Sequence, residues 1–221
     1  MEITVKTISS LEKCFLDENI DSKREINSLS ALSGETLCFQ MAYTKPSETL
    51  GEVVYLHVDS PIKDFVKAFR VESVPVRIPT YPSCKDENYL RKTAGLYPDL
   101  MIPIDEKSEI YPVSSALQSL WIEAEIPAGF AGGDYPIKLS FMTGAEGSGY
   151  TVASAEFEIK VIPADLPEQD LKFTQWFHCD CLAEYYGVDV FSARHWEIIE
   201  NYMRCAVRTG INAVVKRYAH Q

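Results

Sequence analysis

The stretch Leu171–Asn212, LKFTQWFHCDCLAEYYGVDVFSARHWEIIENYMRCAVRTGIN, constrains this chain most. It reads as one strand, one loop and one helix, and little of the chain follows it. Leu171–Phe177 has strand character. Leu171, Phe173, Gln175 and Phe177 point one way, and Lys172, Thr174, Trp176 and His178 the other. Aromatic residues on both faces predict burial on both, as in a parallel sheet covered by helices. A polar cluster of His178, Asp180, Glu184, Tyr185 and Tyr186 follows in a loop at the strand's C-terminal end. Ser192 offers a helix N-cap. Trp196, Ile199, Met203 and Ala206 recur at spacings of three and four, flanked by Ile198, Tyr202 and Val207. That spacing predicts an amphipathic helix over 193–208. Gly210 is placed to stop it, and Ile211–Val215 opens a further strand.

Everything before this stretch reads as a separate all-β domain. Residues 1–163 show short strand patterns broken by turn signals, with no long helical period. Ile3–Val5, Thr36–Tyr43, Glu52–Val58 and the extended region Phe65–Ile78 are rich in β-favouring residues. Ser119–Ile126 alternates cleanly: Leu120, Ile122, Ala124 and Ile126 on one face, Trp121, Glu123 and Glu125 on the other. That predicts a half-buried antiparallel strand. Tyr135–Thr143 and Thr151–Ile162 are the last two strands, joined by a glycine-rich turn at Gly144–Gly149. Residues 79–116, rich in proline and tyrosine, read as one long connection. Many short strands with regular turns predict an antiparallel β-sandwich. Ala164–Asp170 is short, polar and proline-containing, as a linker between domains is. The expected organisation is a sandwich over 1–163, a linker over 164–170 and a strand–loop–helix segment over 171–221.

Composition narrows the function. The net charge of -11 disfavours nucleic acid, because phosphate binding needs a basic surface. No apolar run reaches the roughly 18–20 residues that span a bilayer. The N-terminus MEITVKTISSLEKC lacks a signal-peptide core, which predicts a cytoplasmic protein, or a secreted one where a leader has been removed. Cys14, Cys38, Cys84, Cys179, Cys181 and Cys205 are too dispersed for a disulfide framework and are expected mostly as free, buried thiols. His178-Cys179-Asp180-Cys181 suggests a metal site, but no second ligand pair follows it, so no metal and no cofactor are expected.

Several segments, in this order, resemble a known family. SLWIEAEIP, then AGGDYPIKLSF, then VIPADLPEQDLKFTQWFHCDCLAEYYGV and a helix rich in Trp and Ile are similar to the DUF4091 proteins, relatives of the glycoside hydrolase family 123 enzymes. The resemblance is strongest at Tyr97-Pro98-Asp99, Trp121, Gly133-Asp134-Tyr135 and Trp176–Tyr186. It implies a β-sandwich followed by a (β/α)8 barrel, and β-N-acetylgalactosaminidase chemistry. In that chemistry an adjacent Asp-Glu pair in the barrel assists attack by the substrate's own acetamido group. Such a barrel needs at least about 200 residues, and only about fifty follow the linker here. The barrel is therefore expected to be incomplete, with no catalytic residue carried over and the chain inactive by itself.

By the rule that barrel sites lie at the C-terminal ends of strands, Trp176, His178, Asp180, Tyr185 and Tyr186 are the candidate sugar-binding residues. Their structural alternative is packing of the aromatics and a local His178–Asp180 hydrogen bond. Glu123 and Glu125 share one strand face and read as solubilising charge. His57, in an apolar strand, reads as a satisfied sandwich residue. The expected role is a non-catalytic sandwich that supports a carbohydrate-active barrel. The alternatives are a stand-alone carbohydrate-binding module, with Trp121 or Tyr97 exposed, and a structural module that self-associates through the incomplete barrel segment. Carbohydrate is the expected ligand, and neither nucleic acid nor membrane an expected partner.

Overall fold

The structure is a computed structural model that describes residues 2–46, 53–80, 83, 87–144, 149–168 and 170–215. Cys84, Glu52, most of the Gly144–Gly149 turn and the tail after Val215 lie outside the described residues. The chain divides into two compact units, Met1–Leu166 and Pro167–Gln221.

The first unit is a sandwich of two sheets. One holds β1 (Thr4–Ser9), β3 (Thr36–Thr44), β5 (Val66–Val76), β6 (Gly95–Ile104) and β7 (Gln118–Glu125), in the order β1-β3-β7-β5-β6. The other holds β2 (Ser28–Ser33), β4 (Tyr55–Asp59), β8 (Gly133–Met142) and β9 (Thr151–Asp165), in the order β2-β9-β8-β4. β7 shows why alternating patterns work. Leu120, Ile122 and Ala124 are fully buried, while Trp121, Glu123 and Glu125 are only half-buried. Across the core the rings of Phe39 and Phe157 stack with centroids 3.9 Å apart, and Tyr43 meets Phe141 edge-on at 5.1 Å. Both geometries suit the ring quadrupole. On the outward face, Glu125 pairs with Lys67 at 2.6 Å.

The structure corrects the sequence reading in several places. The connection at 79–116 contains β6, which pairs antiparallel with β5 from Ala68↔Ile104 to Val76↔Gly95. Its prolines, Pro98 and Pro103, hide the strand pattern, yet they are tolerated because β6 is the edge of its sheet. The segment SLSALS forms β2, another edge, and pairs parallel with β9. The sandwich is thus antiparallel with one parallel pair. β9 continues through Asp165, and the Leu166 N–H donates to the Ser33 carbonyl at 2.7 Å. His57 is exposed on β4 rather than satisfied inside the sandwich. Cys14 and Cys179 are buried and Cys38 is half-buried, but Cys181 and Cys205 are exposed. Each of the two lies on a solvent-facing position of its helix.

The second unit is built on two short parallel strands. β10 (Thr174–Trp176) pairs with β11 (Ala213–Val215), from Thr174↔Ala213 to Trp176↔Val215. Between them lie α1 (Cys179–Tyr186) and α2 (Ala193–Arg208). Parallel strands need such a crossover.

Candidate functional site

The second unit places its polar groups at the C-terminal end of β10. The strand is shorter than the 171–177 expected, and Asn212 accounts for its irregular start. The Asn212 side chain accepts from the Phe173 N–H at 2.9 Å and donates to the Leu171 carbonyl at 2.7 Å. This clamps the entry to β10 beside the entry to β11. Burial on both faces does not hold: Leu171 is 74% and Trp176 is 68% exposed, and Val214 and Val215 are also open. The alternating apolar pattern of a covered parallel strand is present, but none of the described residues covers it.

After Phe177 the chain turns directly into α1 rather than into the expected loop. His178 stands at the N-cap without a side-chain capping bond, and Gly187 closes the helix with φ +63°. The run CDCLAEYY is short and lacks a clear apolar stripe, so it gave no helical period. α2 covers the expected 193–208. The Ser192 hydroxyl caps it by accepting from the His195 N–H at 3.2 Å, satisfying one of the unpaired donors of a helix start. Ile198 and Ile199 are buried, but Trp196, Tyr202 and Val207 are exposed, so only part of the wide apolar face finds cover.

A buried residue that joins α1 to α2 is His195. It is fully buried. Its Nδ1 accepts from the Phe191 N–H at 2.8 Å, and its Nε2 lies 2.7 Å from the Cys179 carbonyl. A backbone N–H can only donate and a carbonyl can only accept. The ring therefore carries its proton on Nε2. The nearby Phe191 sits at φ +61° and its ring stacks on Trp196 at 5.5 Å.

The structure brings together only some of the candidate residues. The Tyr185 and Tyr186 rings meet edge-on at 5.0 Å, and the Tyr186 and Tyr202 hydroxyls are 3.2 Å apart. That bond raises the Tyr202 phenol above its ordinary value. Trp176, His178 and Asp180 all lie exposed around the end of β10 and the first turn of α1. His178 and Asp180 make no hydrogen bond to each other. The cluster can offer aromatic faces, an imidazole and a carboxylate to a ligand. It contains no adjacent Asp-Glu pair after residue 170. Among the described residues, no three His, Cys, Asp or Glu side chains converge as a metal site. No helix among them is long and apolar enough to cross a membrane.

Residues 176–221 match the model of the glycoside hydrolase 123 catalytic domain. The chain also superposes on the solved structure of a family 123 glycoside hydrolase from Clostridium perfringens, studied for glycolipid glycan hydrolysis, with a TM-score of 0.73 at 15% identity. By this match and this superposition the chain is similar to the family 123 glycoside hydrolases. The superposition covers 97% of this chain and 37% of the Clostridium perfringens enzyme. At that identity it shows the fold: a sandwich followed by the opening of a barrel. The N-terminal domain of PorA and a cohesin–dockerin complex from Clostridium thermocellum also match, with TM-scores of 0.36 and 0.32 at 11% and 13% identity. These carry no argument about the family 123-like protein. No curated protein matches its sequence.

Proposed function

We propose that this family 123-like chain is a non-catalytic portion of a carbohydrate-active protein. Its sandwich is an accessory domain, and its second unit opens the barrel. The observation that carries this reading is the parallel β10–β11 pair bridged by α1 and α2, which from Trp176 onward lies in the residues that match the catalytic domain. In a complete barrel Trp176, His178, Asp180, Tyr185 and Tyr186 would border a sugar. Aromatic faces would pack on the apolar face of a pyranose, and Asp180 would accept from its hydroxyls. Hydrolysis of that sugar would fall to carboxylates on other barrel strands. The test is an assay of the 221-residue chain on aryl N-acetylgalactosaminides and other aryl glycosides. No turnover is expected, and clear turnover by the purified chain would refute the reading.

A second reading is favoured by the exposure of Trp176, Val214 and Val215 on the short sheet. Open apolar surface and an unpaired strand edge promote pairing of copies. In that reading the second unit makes a homo-oligomer. Light scattering that shows a strict monomer up to high concentration would end it.

A further inference from the structure

β5 is longer than the strand beside it. Its pairing with β7 stops at Arg70↔Leu120, while its pairing with β6 runs on to Val76↔Gly95. The two strands therefore continue past the sheet as an arm. Against the arm is an open cleft of about 490 Å³, within the size range of small-ligand sites. Val74, Val76 and Tyr97 form part of its wall, with Phe15 and Tyr89.

The motif Tyr97-Pro98-Asp99, one of the segments that carry the family resemblance, lies in this cleft. Each of its residues has a distinct part. The Tyr97 hydroxyl donates to the Thr93 carbonyl at 2.6 Å, and its ring meets Phe15 edge-on at 5.3 Å. The Pro98 carbonyl accepts from Lys13 Nζ at 3.3 Å. Asp99 is the extra residue of a bulge: Glu72 pairs with Leu100 and Ser73 with Pro98, which leaves Asp99 unpaired. Bulges re-aim side chains and recur beside functional sites. The Asp99 carboxylate lines the cleft and makes no hydrogen bond or ion pair among the described residues.

The rest of the wall is fixed in advance. The Arg91 guanidinium lies 3.8 Å over the Phe15 ring and forks onto Asp17, at 2.7 and 3.1 Å. That bond holds the Asp17 carboxyl below its ordinary range. Around the cleft three cations, Lys13, Lys23 and Arg91, balance three carboxylates, Asp17, Glu18 and Asp99. A charged ligand gains nothing from a balanced site. A neutral ring with one apolar face and a rim of hydroxyls gains both an aromatic wall and a free acceptor.

We propose that this cleft binds a neutral mono- or disaccharide, with Tyr89 packing against the sugar ring and Asp99 accepting from its hydroxyls. The site lies wholly in the sandwich and does not depend on the barrel reading. The test is a titration of the 221-residue chain, followed by protein NMR, with galactose, glucose, N-acetylgalactosamine and N-acetylglucosamine. Glucosamine and N-acetylneuraminate serve as charged comparators. At least one neutral probe is expected to saturate in the millimolar range. Tyr89→Ala and Asp99→Ala each weaken it about tenfold, a step of about 1.4 kcal/mol, and leave the melting temperature unchanged because both side chains are exposed. The proposal is overturned if no neutral probe saturates, if the charged comparators bind as tightly, or if binding survives both substitutions.

Discussion

Substitution of His195 by alanine tests whether the second unit is held by one side chain. The ring is fully buried and satisfies two backbone groups on different segments, the Phe191 N–H and the Cys179 carbonyl. Alanine reaches neither. A buried polar group left without a partner costs about 1–3 kcal/mol. The Cys179 carbonyl is the more deeply buried of the two, and the Phe191 N–H is partly open to water. The loss is therefore about 2–4 kcal/mol. At about 0.05–0.15 kcal/mol per residue, a unit of about 55 residues holds roughly 3–8 kcal/mol. The substitution removes at least about a quarter of it. Hydrogen exchange read by mass spectrometry should show amides of α2 opening about 30- to 1000-fold more often, while β3 and β7 exchange as before. The exposed pair Arg194–Glu197, 2.7 Å apart on the same helix, serves as the control, since such pairs are worth under about 1 kcal/mol. If Arg194→Ala and His195→Ala perturb α2 equally, the buried histidine is not what holds the two helices together.

Three further outcomes are expected. Phe157→Ala removes one ring of the 3.9 Å stack with Phe39 and lowers sandwich stability by about 3–5 kcal/mol in a denaturant titration. Gly132→Ala places a methyl group 2.8 Å from the Pro163 ring, so the melting temperature falls, whereas Gly95→Ala, which meets nothing within 4 Å, leaves that clash-free position's packing unaltered. Alkylation with iodoacetamide, mapped by peptide mass, modifies Cys181 and Cys205 in the folded chain. Cys14 and Cys38, both pushed up to about 11 by burial, react only on unfolding, because the thiolate is the reactive form.

The sequence was most legible where one face of an element is buried and the other wet. Ser119–Ile126 alternates because Leu120, Ile122 and Ala124 meet the opposing sheet, and α2 shows its cap because Ser192 bonds the backbone directly. Legibility failed where the chain breaks a propensity rule that its location excuses. Pro98 and Pro103 argue against a strand unless that strand is known to be an edge. The serines of SLSALS carry no apolar alternation, since β2 is an edge with one parallel neighbour. His57 lay in an apolar run, but a period of two places it outward between buried Leu56 and half-buried Val58. The polar residues of the second unit were legible as a group after a strand. Their arrangement was not, because the eight residues of α1 have no helical stripe. His195 escaped notice because a buried histidine bonded to two backbone groups leaves no pattern in sequence.

The two units differ in how far each encloses its own core, and this bears on function more than any single residue. In the sandwich, Phe39, Phe141, Phe157 and Ile159 are sealed between two sheets, so each inward-facing position is covered within the chain. In the second unit the buried set is Cys179, Ala183, His195, Ile198 and Ile199, all on helices. The strands contribute none of it: Trp176, Val214 and Val215 remain open, as does Phe173 just before β10. A parallel sheet is stable when both faces are covered, yet here the helices pack on each other while the sheet stands bare. An element whose sequence is suited to burial but which is left exposed has its stabilising contacts outside the residues described. In the complete barrel proposed above, further strands would cover such a pair, and a second copy would give it the same kind of cover. In either case Trp176, the strand residue beside the polar cluster, should lose solvent exposure when that cover is in place. Its fluorescence would shift to the blue, and an unshifted spectrum in the completed assembly would leave the second unit's exposed sheet without the role argued for it.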